Sequence, residues 1–95
     1  MKSMLSLTLV AIALAAAPVA AQAQEALAKS SGCLNCHDVS AKKAGPSFKD
    51  VAAKYKGKAD AEATLTAKLS KGEGHPAVKT KPEDTTSLVK WILSM

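Results

Sequence analysis

The chain has no arginine: all thirteen basic residues are lysines, set against eight acidic ones. Guanidinium forks suit phosphate and base recognition in a way that lysine does not. Aromatic stacking partners are nearly absent too, with only Phe48, Tyr55 and Trp91 in 95 residues. Both shortages argue against a nucleic-acid partner. The net charge of +5 instead suits brief meetings with acidic proteins, through lysines that read as scattered.

No apolar run reaches the roughly 20 residues of a membrane-spanning helix. The longest, Leu5 to Ala17, lies between Lys2 and Pro18, and Ala21-Gln22-Ala23 then offers the small-x-small pattern of a signal-peptidase site. Residues 1–23 are therefore expected to be a cleaved secretory leader with no membrane anchor. Residues 24–95 form one exported domain, starting at Gln24 or alternatively Gln22, and loss of Lys2 lowers the charge to +4. So small a domain buries a modest share of its surface and usually needs a staple.

Cysteine and histidine are equally scarce, two of each, which narrows the choice of staple. Cys33-Leu34-Asn35-Cys36-His37 holds three of these four residues. Its spacing is that of covalent haem attachment: each thiol takes one vinyl group as a thioether, and the next residue's imidazole is swung under the ring to bind iron. A Cys33–Cys36 disulfide is the rival in an oxidising compartment. A redox Cys-x-x-Cys belongs at a helix start in a strand-containing fold, and no strand is legible here. A zinc site needs two further ligands, and only His75 remains. A porphyrin would also supply apolar bulk that three aromatic residues cannot.

The rest reads as helix. Glu25 to Ser31 is a short one, with Leu27 its main apolar residue, closed by Gly32. Gly45-Pro46 is a rigid turn. Ser47 is positioned to cap a helix whose apolar residues Phe48, Val51, Ala52 and Tyr55 share one face, and Gly57 ends it. Asp60 is expected to cap the next helix, with Ala61, Leu65 and Leu69 facing inward and Gly72 as its stop. Thr80 to Glu83 reads as a capping box with Pro82 in the first turn. The last helix then presents Leu88, Trp91 and Ile92, and Met95 continues that face. The expected class is all-α, about four short helices around one haem.

These residues resemble a known family, the small bacterial class I cytochromes c of the c-551 (c8) type. The likeness rests on Gly32 to His37, on Gly45-Pro46-Ser47-Phe48-Lys49-Asp50-Val51-Ala52-Ala53-Lys54-Tyr55 and on Leu88-Val89-Lys90-Trp91-Ile92-Leu93-Ser94. It implies a haem c joined through Cys33 and Cys36, with His37 as the proximal iron ligand. It also implies that the Pro46 carbonyl accepts the proton of that imidazole, and that Trp91 packs where the first and last helices cross. Lys68 and Tyr55 are possible contacts to a haem propionate.

The family's second axial ligand is a methionine on a long loop before the final helix. Here the only methionine after residue 23 is Met95, and the loop is shortened to Lys71-Gly72-Glu73-Gly74-His75-Pro76. Read backwards without gaps from the Leu-Val-Lys-Trp run, His75 stands where that methionine would be, followed by a proline as in the relatives. His75 is therefore expected as the second ligand to iron. An open or water-bound site, or Lys79, Lys81 or Met95, remain as alternatives.

The function this implies is one-electron transfer by a periplasmic monohaem carrier, not catalysis, since no general acid or base other than His75 stands near the pocket. Thioether ligation raises the potential of ordinary cytochromes c, so histidine in its place should lower it. The partners are other redox proteins, met transiently by a monomer. A gas-binding or sensor cytochrome, or an electron-transfer subunit of a larger oxidoreductase, are the competing readings.

Overall fold

A computed structural model describes residues 19–95. The apolar run Leu5 to Ala17 lies outside them. Four α-helices and one short 3-10 turn follow in order: α1 Val19–Ser30, the turn Cys33–Asn35, α2 Phe48–Tyr55, α3 Ala61–Lys71 and α4 Pro82–Leu93. Among the described residues there is no strand, and no helix is long and apolar enough to cross a membrane.

The last helix is the hub, since α4 packs against each of α1, α2 and α3. The core is small: Ala28, Phe48, Leu88 and Ile92 are buried together, and Leu27, Cys33, Leu34, Val39, Val51 and Trp91 pack against them half-covered. The expected stripes are there. Ala52, Ala61 and Leu65 are buried with Phe48, Leu88 and Ile92. Trp91 meets Phe48 edge-on, with ring centroids 5.6 Å apart and planes at 71°, inside the cluster that includes Ala28 and Leu27 of α1.

Four expectations need correction. The first helix begins at Val19 rather than Glu25, because Ala and Gln are good helix formers and continue it backwards. Its fully buried residue is Ala28, whereas Leu27 is half-covered. Met95 does not continue the buried face of α4 and is 39% exposed. The capping box does not form. Pro82 takes the first helical position, so the cap falls on Lys81, held extended at φ −60° and ψ 146° with no side-chain cap bond, the conformation that residues before proline prefer. The Thr80 hydroxyl instead pairs with that of Thr85 at 2.5 Å.

The other two caps differ. Ser47 accepts the amide of Asp50 at 3.1 Å, as expected. Asp60 occupies the cap position of α3 but bonds no helix amide through its side chain; its carboxylate accepts the Thr64 hydroxyl at 3.5 Å.

Candidate haem site

The segment between α1 and α2 folds back on itself to present His37. The amides of Cys36 and His37 both donate to the Cys33 carbonyl, at 3.3 and 3.0 Å, which makes the attachment motif a tight turn. Gly45 N–H donates to the Cys36 carbonyl at 2.7 Å, and the amides of Phe48 and Lys49 donate to Asp38 and Val39 at 3.0 and 3.2 Å. The Lys43 ammonium donates to the Leu34 carbonyl at 3.0 Å. Asp38 accepts the amides of Ser40 and Ala41 at 3.0 and 2.8 Å. These amides, Ala41 foremost, hold its carboxyl below the usual range.

His37 is fixed on three sides. Its Nδ1 lies 2.6 Å from the Pro46 carbonyl oxygen. A carbonyl can only accept, so the proton sits on Nδ1 and Nε2 is left free as a ligand. The Phe48 ring stacks beside it, centroids 5.3 Å apart. Gly45 closes the third side: a Cβ there would fall 2.5 Å from His37 Cε1 and 2.8 Å from Nδ1. The sequence marked Gly45 as half of a turn, but its closeness to the imidazole is a tertiary fact.

His75 arrives from the other direction. The loop leaves α3 through Gly72 at φ 74° and turns again at Gly74, φ 69°, backbone that side-chain-bearing residues rarely adopt. The amides of Gly72 and Glu73 both donate to the Lys68 carbonyl, and Val78 N–H donates to Leu69 at 2.9 Å. His75 Nδ1 lies 2.7 Å from the Pro76 carbonyl oxygen, so its Nε2 is free by the same argument. The two imidazoles come together with centroids 6.0 Å apart and planes within 7° of parallel.

Cys33 is half-buried and Cys36 exposed, both as free thiols rather than a disulfide, and burial pushes the Cys33 thiol up. Lys68 runs beside the His75 loop, its Cε 3.6 Å from where a Gly74 Cβ would stand. Tyr55 ends α2 with the ammonium groups of Lys54 and Lys58 at 5.8 and 5.2 Å from its ring. Lys79 and Lys81 are exposed, and Met95 lies with Tyr55 and Leu93 around a surface groove. Among the described residues, no three His, Cys, Asp or Glu side chains gather into a protein-only metal site.

A haem fits these residues. The turn offers two unpaired thiols, the imidazole beside them keeps its second nitrogen available once Nδ1 is held by Pro46, and the apolar side chains Leu34, Val39, Val51 and Trp91 are only half-covered. The fold and this motif define a small class I cytochrome.

Comparison with known proteins agrees. The family model for cytochrome c matches residues 20–95. Cytochrome c-552 of Hydrogenobacter thermophilus is 44% identical over 80 residues, covering 77% of this chain and 82% of the relative. Cytochrome c-551 of Pseudomonas aeruginosa is 37% identical over 81 residues, 78% of each. The solved class 1 cytochrome MtoD from Sideroxydans lithotrophicus ES-1 superposes with a TM-score of 0.71 at 42% identity, covering 83% of this chain and 97% of that one. The chain belongs to the class I cytochrome c family. It is a monohaem electron carrier and not an enzyme. Its cofactor is one covalent haem c with its iron, for which two cysteines are present.

Proposed function

We propose that this cytochrome is an exported, periplasmic one-electron carrier whose iron is held by His37 and His75, and whose potential lies below that of a methionine-ligated relative. Cys33 and Cys36 hold the ring by thioethers. The haem, once attached, supplies a one-electron couple at its iron, and the chain's residues tune that couple without reacting themselves.

One observation carries the assignment of the two histidines. Both histidines have Nδ1 against a proline carbonyl oxygen, Pro46 for His37 and Pro76 for His75, so both leave Nε2 free. The rings stand parallel with centroids 6.0 Å apart, close enough for the nitrogens of both to be held by one metal through bonds of about 2 Å each. A carbonyl on the far nitrogen also makes each imidazole a better donor to a metal. Replacing thioether by imidazole removes the ligand that raises the potential in ordinary cytochromes c. Export is supported by Lys2, the Leu5 to Ala17 run and the Ala21-Gln22-Ala23 site.

Spectroscopy of the purified holoprotein tests this. The oxidised form should be low-spin, without the weak near-infrared band of a methionine–iron bond, and its magnetic resonance should carry the signature of two imidazoles. His75→Met should restore that band and raise the potential, provided the sulfur reaches the metal. A near-infrared methionine band in the parent, or rapid carbon monoxide binding by its reduced form, would refute the bis-histidine assignment.

A further inference from the structure

The cut expected after Ala23 falls inside a helix. Because α1 runs from Val19 to Ser30, removal of residues 1–23 leaves Gln24 to Ser30 to carry its packing against α4. Ala28 of that remnant is 0% exposed and belongs to the core. Gln24 stands one turn before it on the same face, so the new first residue sits close to a core contact.

Two features make Gln24 an unusual chain start. The first is electrostatic. A free α-amino group has a pKa of about 7.7–8.0, so near neutral pH it is mostly an ammonium, placed where the helix macrodipole is already positive. The charged side chains of the remnant have the opposite arrangement: Glu25 lies in its first turn and Lys29 in its last, each at the end the dipole favours for it. Only the ammonium opposes the dipole. The second feature is the Gln24 side chain. It is half-buried, and its Oε1 is buried with no hydrogen-bond partner. No hydrogen bond therefore holds that carbonyl away from the residue's own amine, which can reach Cδ to close a ring.

We propose that Gln24 becomes the first residue of the chain and cyclises to a pyroglutamyl lactam. The proposal rests on the export reading. The uncharged amine attacks Cδ, the N–Cδ bond forms, and the Cδ–Nε2 bond breaks to release Nε2 as ammonia. Oε1 stays as the lactam carbonyl. The protons balance, since an ammonium group is exchanged for an ammonium ion, and no oxidant, reductant or co-reactant is consumed. The product leaves no charge at the start of α1, beside Glu25 in the first turn, and no free amine for an aminopeptidase to grip.

Holoprotein purified from cells that express the full chain tests this, by intact mass and by stepwise degradation from the amino terminus. The mass should be one ammonia below that of residues 24–95 plus one haem. Degradation should stall until pyroglutamyl aminopeptidase removes the first residue, and should then read from Glu25. Gln24→Ala keeps the Ala21-Gln22-Ala23 site and should degrade without that treatment. A general aminopeptidase should trim this variant and leave the parent intact. A parent that begins at Gln24 with a reactive amine and the full mass would overturn the cyclisation while leaving export in place. A start at Gln22 would overturn its placement, and a parent trimmed as fast as Gln24→Ala would overturn the protection. A chain that still carries residues 1–23 would overturn the export reading and the proposal together.

Discussion

His37 and His75 face each other with their ring planes within 7° of parallel, yet they are anchored very differently. His37 is gripped by Pro46, Phe48 and the bare Cα of Gly45. His75 has only the carbonyl of its own neighbour, Pro76, on a glycine-flanked loop. Loss of the two should therefore have unequal results. His37→Ala removes the imidazole that belongs to the attachment turn, and little haem-bearing protein is expected to accumulate. His75→Ala should still carry covalent haem, shift toward high spin and bind carbon monoxide rapidly when reduced. Haem-stained gels and absorption spectra of the pair check this; equal accumulation with identical spectra would mean that neither histidine has the role assigned.

Gly45 is needed for space. A methyl group at that position lands 2.5 Å from His37 Cε1, well inside contact distance, so either the ring or the Gly45-Pro46 turn must move. Overpacking of this kind costs roughly 1–3 kcal/mol. Gly45→Ala is expected to lower the thermal midpoint and to shift the His37 ring resonances, as its bond to the Pro46 carbonyl lengthens. An unchanged melting curve with unchanged ring shifts would show that the turn absorbs the methyl freely.

The stripe Phe48, Val51, Ala52 and Tyr55, the Ser47 cap and the inward residues of α3 were legible because each follows from helical period and local hydrogen bonding alone. The burial of Val89 and Thr85 was not. A single apolar stripe explains a helix covered on one side, but α4 touches three other helices and so buries residues beyond the Leu88–Ile92 stripe. Thr80 misled for a different reason. The T-x-x-E spacing is a local pattern, and the proline inside it moved the helix start by one residue. The approach of Gly45 to His37 and of His75 to His37 are contacts between distant segments. For His75, the signals were the shortened loop, the spacing back from Trp91, the proline that follows it and the absence of any other histidine beyond His37.

Export is checked by mass. The mature protein is expected to begin at Gln24 or Gln22 and to weigh that chain plus one haem, less one ammonia when Gln24 leads the chain, with the haem retained through acid–acetone extraction. Extractable haem, or a Cys33–Cys36 disulfide in the isolated protein, would contradict the attachment assigned to the motif.

The His75 loop is held at three points. Its start is pinned where the Gly72 and Glu73 amides meet the Lys68 carbonyl, and its middle where Val78 meets Leu69. Its end is pinned by Thr80, whose hydroxyl lies 2.5 Å from that of Thr85, a residue 1% exposed that also donates to the Lys81 carbonyl at 3.3 Å. Thr85→Val keeps the shape and removes the partner, which should cost about 0.5–1.5 kcal/mol. It should also speed amide exchange at Val78 and Thr80 and quicken displacement of His75 by an added ligand. Thr85→Ser should cost a similar amount, through the lost methyl, while leaving loop exchange as in the parent, because the hydroxyl remains. Thr80→Val combined with Thr85→Val should recover much of the stability lost by Thr85→Val alone, since replacing both partners of a hydrogen bond by apolar groups can be nearly neutral. If the two single variants exchange alike, the hydroxyl pair is only packing, and the loop is held by its first two pins.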